Sequence, residues 1–265
     1  MNRMLPSMYR AACAIALCEA LACEKKADSL AAPVTTAVTA APAPASATLV
    51  EFAFAAESKI SVELEAPKEH IKADASSVTG SVRLDLSKLA NSRGEVKVDL
   101  TKLTFHTFEE AGKNTSQTEH ALNWLEVGTL VDAPTRSGNQ FAVFAIQSVD
   151  GVSEGDVSRV PSVAEATGDV RTVSLTAHGD FLIHGRKVTK DVPLLLKFHY
   201  AKGAEPAARP VSVAISTPKP LQVTLADHDV KPRDNFGKIA QWTTNLVSKV
   251  ATNADVTLAL TARPR

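Results

Sequence analysis

His178, Asp180 and His184 fall at even spacings around the stretch GDFLIHGRKVTKDVPLLLKFHY, Gly179 to Tyr200. In an extended strand such residues share one face. Two imidazoles and a carboxylate are donor types for a divalent metal or for proton transfer. Four residues of strand already cover roughly 13 Å, so the set can converge only with help from other strands. A wet outer strand face explains the same residues. Hydrolysis needs a nucleophile, a base and an oxyanion site. The chain has no Gly-x-Ser-x-Gly, no His-Glu-x-x-His, no Gly-rich phosphate loop and no cysteine after Cys23. No catalytic residue and no metal ligand is therefore assigned. Asn114-Thr115-Ser116 matches a glycosylation acceptor, but helix capping explains Ser116 equally well. Arg233 reads either as a structural ion pair or as a guanidinium facing ligand oxygens.

The elements around these residues follow from composition. The 265 residues are 45% hydrophobic with no net formal charge, enough for a sizeable core but without the basic field that nucleic acid needs. All three cysteines, Cys13, Cys18 and Cys23, lie at the start, so the remainder holds no disulfide and no thiolate site. Residues 1–22 have the layout of a signal peptide: Arg3 and Arg10, the apolar run Ala11 to Ala22, and a small-x-small site at Ala20-Leu21-Ala22. Cys23 follows in ALAC, which resembles a bacterial lipobox whose cysteine is acylated. Residues 23–48 then form an Ala/Pro/Thr-rich spacer without periodicity, and 49–265 form the folded domain.

That domain alternates apolar and polar residues in many short runs. Val50, Phe52 and Phe54 share one side; so do Ile60, Val62 and Leu64; Val82, Leu84 and Leu86; and Val96, Val98 and Leu100. QFAVFAIQSV is apolar on both faces, which predicts that its outer side is covered. The count is about eight to ten strands separated by turn residues. TSQTEHALNWLEVG predicts a helix with Ser116 as N-cap, Glu119 completing a capping box, and Gly128 as the stop. KIAQWTTNLVSKV, Lys238 to Val250, predicts a second. Periodicity leaves a filled barrel, a hollow barrel and a sandwich open.

Several motifs resemble the YceI-like, polyisoprenoid-binding family of bacterial envelopes. GDFLIHGRKVTKDVPLLLKF is similar to its strand, Val-Thr-Lys-x-Val turn and second apolar strand. RDNFG supplies Arg233, Phe236 and Gly237 at the spacing of its C-terminal Arg-x-x-Phe-Gly, and TEHALNWLEVG resembles its mid-chain His-Leu motif with Ala121 inserted. GSVRLDLSKL and GEVKVDLTKL resemble its early strands. The resemblance implies a mainly β fold: an extended antiparallel lipocalin-like barrel of about eight strands with one or two short helices. It implies a non-catalytic protein that binds an isoprenoid chain, a quinone tail or a polyprenyl lipid, with no other cofactor.

The expected lipid-binding residues are Phe52, Phe54, Leu84, Val98, Phe141, Val143, Phe181, Leu194, Leu196 and Phe198, with Arg233 at the mouth. Each buried methylene contributes roughly 0.8 kcal/mol, against about 1 kcal/mol for a neutral hydrogen bond. Affinity should therefore reside in the tail. The expected partners are an isoprenoid-type lipid and, through acylated Cys23, the membrane. The expected location is the periplasm, tethered as a lipoprotein. The competing reading is a filled barrel whose outer faces bind other envelope proteins; extraction of bound lipid separates the two.

Overall fold

The computed structural model describes residues 37–66, 69–232 and 251–265. The signal segment, Cys23, Arg233, Phe236, Gly237 and the second expected helix lie outside the described residues. The strands are β1 (Leu49–Phe54), β2 (Lys59–Ala66), β3 (Glu69–Ala75), β4 (Val78–Asp85), β5 (Arg93–Asp99), β6 (Thr104–Phe105), β7 (Phe141–Asp150), β8 (Val163–Glu165), β9 (Gly168–Ile183), β10 (Arg186–Tyr200), β11 (Ser212–Ser216), β12 (Leu221–Thr224) and β13 (Asn253–Pro264). The helices are α1 (Ala111–Trp124) and α2 (Ala133–Asn139).

Eight of the strands form a closed antiparallel ring, β1-β4-β5-β7-β9-β10-β11-β13, sealed where Phe52, Ala53 and Phe54 pair with Pro264, Arg263 and Ala262. The alternation read from the sequence becomes the inside and outside of this ring. Val50 pairs with Leu84 and Phe52 with Val82; Leu196 pairs with both Val173 and Ile215. Directly paired residues lie on the same face. The first half of β13 leaves the ring to pair with β2 and β12, and β2 carries β3 and β6 with it. The barrel is thus lengthened at one end by a hairpin outside the ring.

The β9–β10 hairpin is the longest pairing, from Arg186↔Ile183 to Tyr200↔Asp169. Its two-residue turn puts His184 at φ 52° and Gly185 at φ 67°. Positive φ at both central positions is the turn whose twist matches a β-hairpin, and glycine supplies the second at little strain.

The two-faced apolar run is β7. Ala142, Phe144 and Ile146 pair with Val98, Val96 and Gly94 on the inner face. The outer face is met by the segment ahead of β1. Gln147 Nε2 donates to the Thr39 carbonyl at 3.0 Å, and Val38 is buried. Contact with the barrel thus begins within the stretch that composition marks as spacer. A register shift between Ile146 and Ser148 bends β7 there.

Helix α1 begins at Ala111, five residues ahead of the expected cap, and Ser116 lies within it. The Asn114 side chain brackets the entry, accepting from Phe108 N–H at 2.8 Å and donating to the Phe108 carbonyl at 2.7 Å. The stop precedes Gly128: Leu125 is the C-cap and Glu126 takes the left-handed conformation at φ 53°. Val127 N–H bonds the Leu122 carbonyl and Glu126 N–H the Asn123 carbonyl, the paired bonds of a Schellman ending.

At the packed end of the barrel Asp85 is 1% exposed. It accepts from Thr48 Oγ1 at 2.6 Å, Ser87 Oγ at 3.0 Å and Asn91 Nδ2 at 3.1 Å. Burial pushes this carboxyl upward, but hydrogen bonds from Thr48, Asn91, Ser46 and Ser87 together outweigh it and hold the pKa at about 2. A depressed carboxylate contributes stability above its unfolded pKa and loses it as the pH falls through the folded value. Between about pH 5 and pH 2, wild type should lose roughly 2 kcal/mol more stability than Asp85→Asn, as read by urea unfolding.

Candidate functional site: a half-hollow barrel

The interior divides into two parts. In the packed part Phe52, Phe198, Leu196, Val173, Val213 and Leu260 are each at most 2% exposed and belong to one core cluster. In the other part the described residues leave a hollow. A cavity of about 590 Å³ lies between the ring, the β2–β3 hairpin, helix α1 and the segment around β12. At roughly 30 Å³ per water-sized group this holds about twenty such groups, within the range of small-molecule sites.

The lining is almost wholly apolar. Ile60, Val62 and Leu64 come from β2, Val96 and Val98 from β5, Ala142 and Phe144 from β7, and Phe181 and Ile183 from β9. Val192, Val223, Val256 and Leu258 continue the wall, and Ala121 and Trp124 of α1 and its C-cap Leu125 cover it. The physical reason for the void lies in the outer hairpin. Where β13 leaves the ring, β2 and β3 widen the wall with short aliphatic side chains that do not reach across. Phe144 and Phe181 stand edge to face at 6.4 Å, and Phe181 meets the His228 ring edge-on at 5.4 Å.

The residues expected to line the site separate along the barrel axis. Val98 and Phe181 border the cavity. Phe52, Leu84, Leu194, Leu196 and Phe198 face inward as parity requires, but they lie in the packed part, and Phe54 packs against that core. Phe141 and Val143 lie on the outer face, since Ala142 and Phe144 hold the inner one. Phe141 packs under Lys97, whose Nζ is 4.0 Å from the ring centroid. Gly179 admits β7 to close approach: a Cβ there would lie 2.3 Å from the Ala145 carbonyl oxygen and 2.9 Å from the Phe144 ring.

His178 is on the outer face, between Asp191 at 2.6 Å and Asp150 at 2.8 Å. Those carboxylates, Asp191 first, raise its pKa. His184 does not share that face. It is buried in the turn, with Nε2 2.7 Å from Glu126 Oε2 and Nδ1 3.1 Å from the His228 carbonyl oxygen. Arg186 lies 3.7 Å from Asp229, which also holds Lys231 at 2.6 Å. The three non-glycine residues with positive φ, among the described residues, are Glu126, His184 and Asp229. All three meet in this cluster beside the cavity. Backbone conformations of this kind persist only where surrounding contacts over-determine them.

Nothing in the residue pattern singled out His228. It ends a single helical turn, Leu225–His228, is 1% exposed and borders the cavity. The other polar side chains on the lining, Glu69, Gln117 and His120, are exposed or half-buried.

The ring and its one-sided apolar hollow define the class: a lipocalin-like antiparallel β-barrel. No family model matches the sequence, and no curated protein matches it. Solved structures do resemble it. A polyisoprenoid binding domain from Saccharophagus degradans is 13% identical, with 82% of this chain and 99% of that one covered, at a TM-score of 0.47. BcnA of Burkholderia cenocepacia is 13% identical, with coverage of 78% and 96% and a TM-score of 0.49. A YCEI protein of Campylobacter jejuni is 9% identical, with coverage of 73% and 84% and a TM-score of 0.39.

Proposed function

We propose that this protein binds and carries one long-chain lipid, isoprenoid in type, inside the hollow part of its barrel, without chemical conversion. The observation that carries the reading is the cavity: about 590 Å³, bounded by aliphatic and aromatic side chains. Burial of each methylene there contributes roughly 0.8 kcal/mol, so a chain of several isoprene units gains more from the walls than from one polar contact. Catalysis is no part of the proposal: among the described residues, the cavity lining includes no cysteine, serine, threonine or lysine.

The protein acts in the bacterial envelope on this reading, exported by residues 1–22 and tethered through acylated Cys23. The support is the sequence ALACEKK followed by the Ala/Pro/Thr-rich stretch. Cys23 would need more than one acyl chain for stable anchoring, since a single chain holds only marginally. Arg233, adjacent in sequence to the described segment that ends at 232, is proposed to face the ligand's oxygen atoms at the mouth.

One experiment tests both parts. Full-length protein is purified from membranes, extracted with organic solvent and analysed by mass spectrometry. The expected result is near-stoichiometric isoprenoid lipid in wild type, and the same lipid in a Cys23→Ser variant recovered from the soluble periplasmic fraction. A folded protein without extractable lipid contradicts the carrier reading. Wild type found wholly soluble after export contradicts the anchor.

A further inference from the structure

The cavity has a direction. Along the β2–β3 hairpin its wall runs from the pair Ile60↔Ala75 through Leu64↔Ile71 to Ala66↔Glu69. Exposure rises in the same order: Ile60 and Ala75 are buried, Leu64 and Ile71 half-buried, and Glu69 exposed. Helix α1 brings polar residues to the exposed level. Gln117 Oε1 accepts from Thr107 Oγ1 at 2.6 Å, and Thr107 Oγ1 accepts from the Lys72 N–H at 3.1 Å, next to Ile71 on β3. With Glu69 and the exposed His120, Gln117 gives this end of the cavity a polar rim.

The opposite end is dry and closed. Alternate residues of a strand share a face. On three strands the next inward-facing residue past the lining belongs to the packed core: Ile146 after Phe144 on β7, Leu194 after Val192 on β10, and Leu260 after Leu258 on β13. These three are 7%, 7% and 2% exposed. A core packed as densely as an organic crystal leaves no path for a chain. Ile146, Leu194 and Leu260 are therefore the floor of the hollow.

Floor and rim together fix a length. From Ile60 to Ala66 is six strand steps, roughly 20 Å. A carbon–carbon bond of about 1.5 Å advances an extended chain by roughly 1.25 Å, so about sixteen bonds span that depth. This is the main chain of four isoprene units. The volume leads to the same answer by a separate route: about 590 Å³ holds about twenty non-hydrogen groups, which is four units with their methyl branches. We infer that the floor makes this barrel a ruler for chain length, so that its cargo is an isoprenoid of four units, with its tail on Ile146, Leu194 and Leu260 and its polar end at the rim of Glu69, Gln117 and His120. The inference rests on the lipid-carrier reading, and it adds the length of the chain, its orientation and the residues that set both. A fifth unit extends past the rim into water and gains nothing from the walls, whereas a shorter chain leaves apolar wall uncovered.

The test uses geraniol, farnesol, geranylgeraniol and geranylfarnesol, which carry two, three, four and five units. Binding to the full chain is measured by displacement of a fluorescent fatty-chain probe, below the concentrations at which the alcohols aggregate. Affinity for wild type should rise about tenfold or more per unit up to geranylgeraniol, and by less than about twofold from there to geranylfarnesol. Ala75 borders the cavity beside Ile60, just above the floor. Ala75→Phe adds about the bulk of one unit there, so in that variant the rise should stop at farnesol, with circular dichroism as the folding control. Leu194→Ala lowers the floor, and geranylfarnesol should then gain about fivefold over geranylgeraniol. A rise that continues undiminished to geranylfarnesol in wild type overturns the ruler and leaves the lipid reading standing. So does a folded Ala75→Phe variant whose rise still ends at geranylgeraniol. Binding of none of the four alcohols overturns both.

Discussion

Phe198→Ala should lower the unfolding free energy by about 3–5 kcal/mol and leave lipid binding per folded molecule unchanged. Phe198 has no exposed surface and sits on β10 between Arg171 of β9 and Val213 of β11. Truncation removes a whole ring from a place where Phe52, Leu196 and Val213 are equally enclosed, so no neighbour can collapse into the gap. Domains are stable by only about 5–15 kcal/mol in total, so the loss is a large share. The second half of the expectation follows from position: Phe198 does not border the cavity. Urea unfolding reads the first effect, and probe titration of the folded variant reads the second. A variant that unfolds as wild type does would show the packed half to be loosely filled.

Ala142→Trp should do the reverse. Ala142 lies on the inner face of β7 opposite Val98 and borders the void. Filling space that is already empty avoids most of the roughly 1–3 kcal/mol that overpacking a dense core costs. The indole would occupy the volume that the chain needs, so binding should fall by more than tenfold while the unfolding midpoint stays near that of wild type. Leu196→Trp, by contrast, places the same bulk in the packed half, where Leu196 is 2% exposed. It should destabilise without acting on the site directly.

The pairing of these variants shows what the sequence made legible. Period-two alternation gave the inner faces of β1, β4, β5, β9 and β10, because each has one wet side. It failed on β7, where Val143 is as buried as Ala142, so Phe141 and Val143 carried no sign of facing outward. Depth along the barrel was also illegible. Leu196, in the packed half, and Val192, on the cavity, are the same kind of residue on one face of one strand. What separates them is the hairpin β2–β3, which joins the wall from a distant part of the chain. Helix α1 was legible in TSQTEHALNWLEVG, and its Ala121 and Trp124 border the cavity. Its start was not, because the Asn114 clasp on Phe108 leaves no capping-box signature. His228 was missed because a histidine in Leu-Ala-Asp-His looks like any turn residue until Phe181 and Arg186 are placed against it.

The most direct measurement of where the lipid lies is photo-crosslinking with an isoprenoid alcohol carrying a diazirine on its tail, followed by peptide mapping. The account predicts labelling of β2, β5, β7 and helix α1 at the residues that border the cavity, and loss of that labelling in Ala142→Trp. Labelling confined to the outer face, or to the packed half around Phe198, would contradict it.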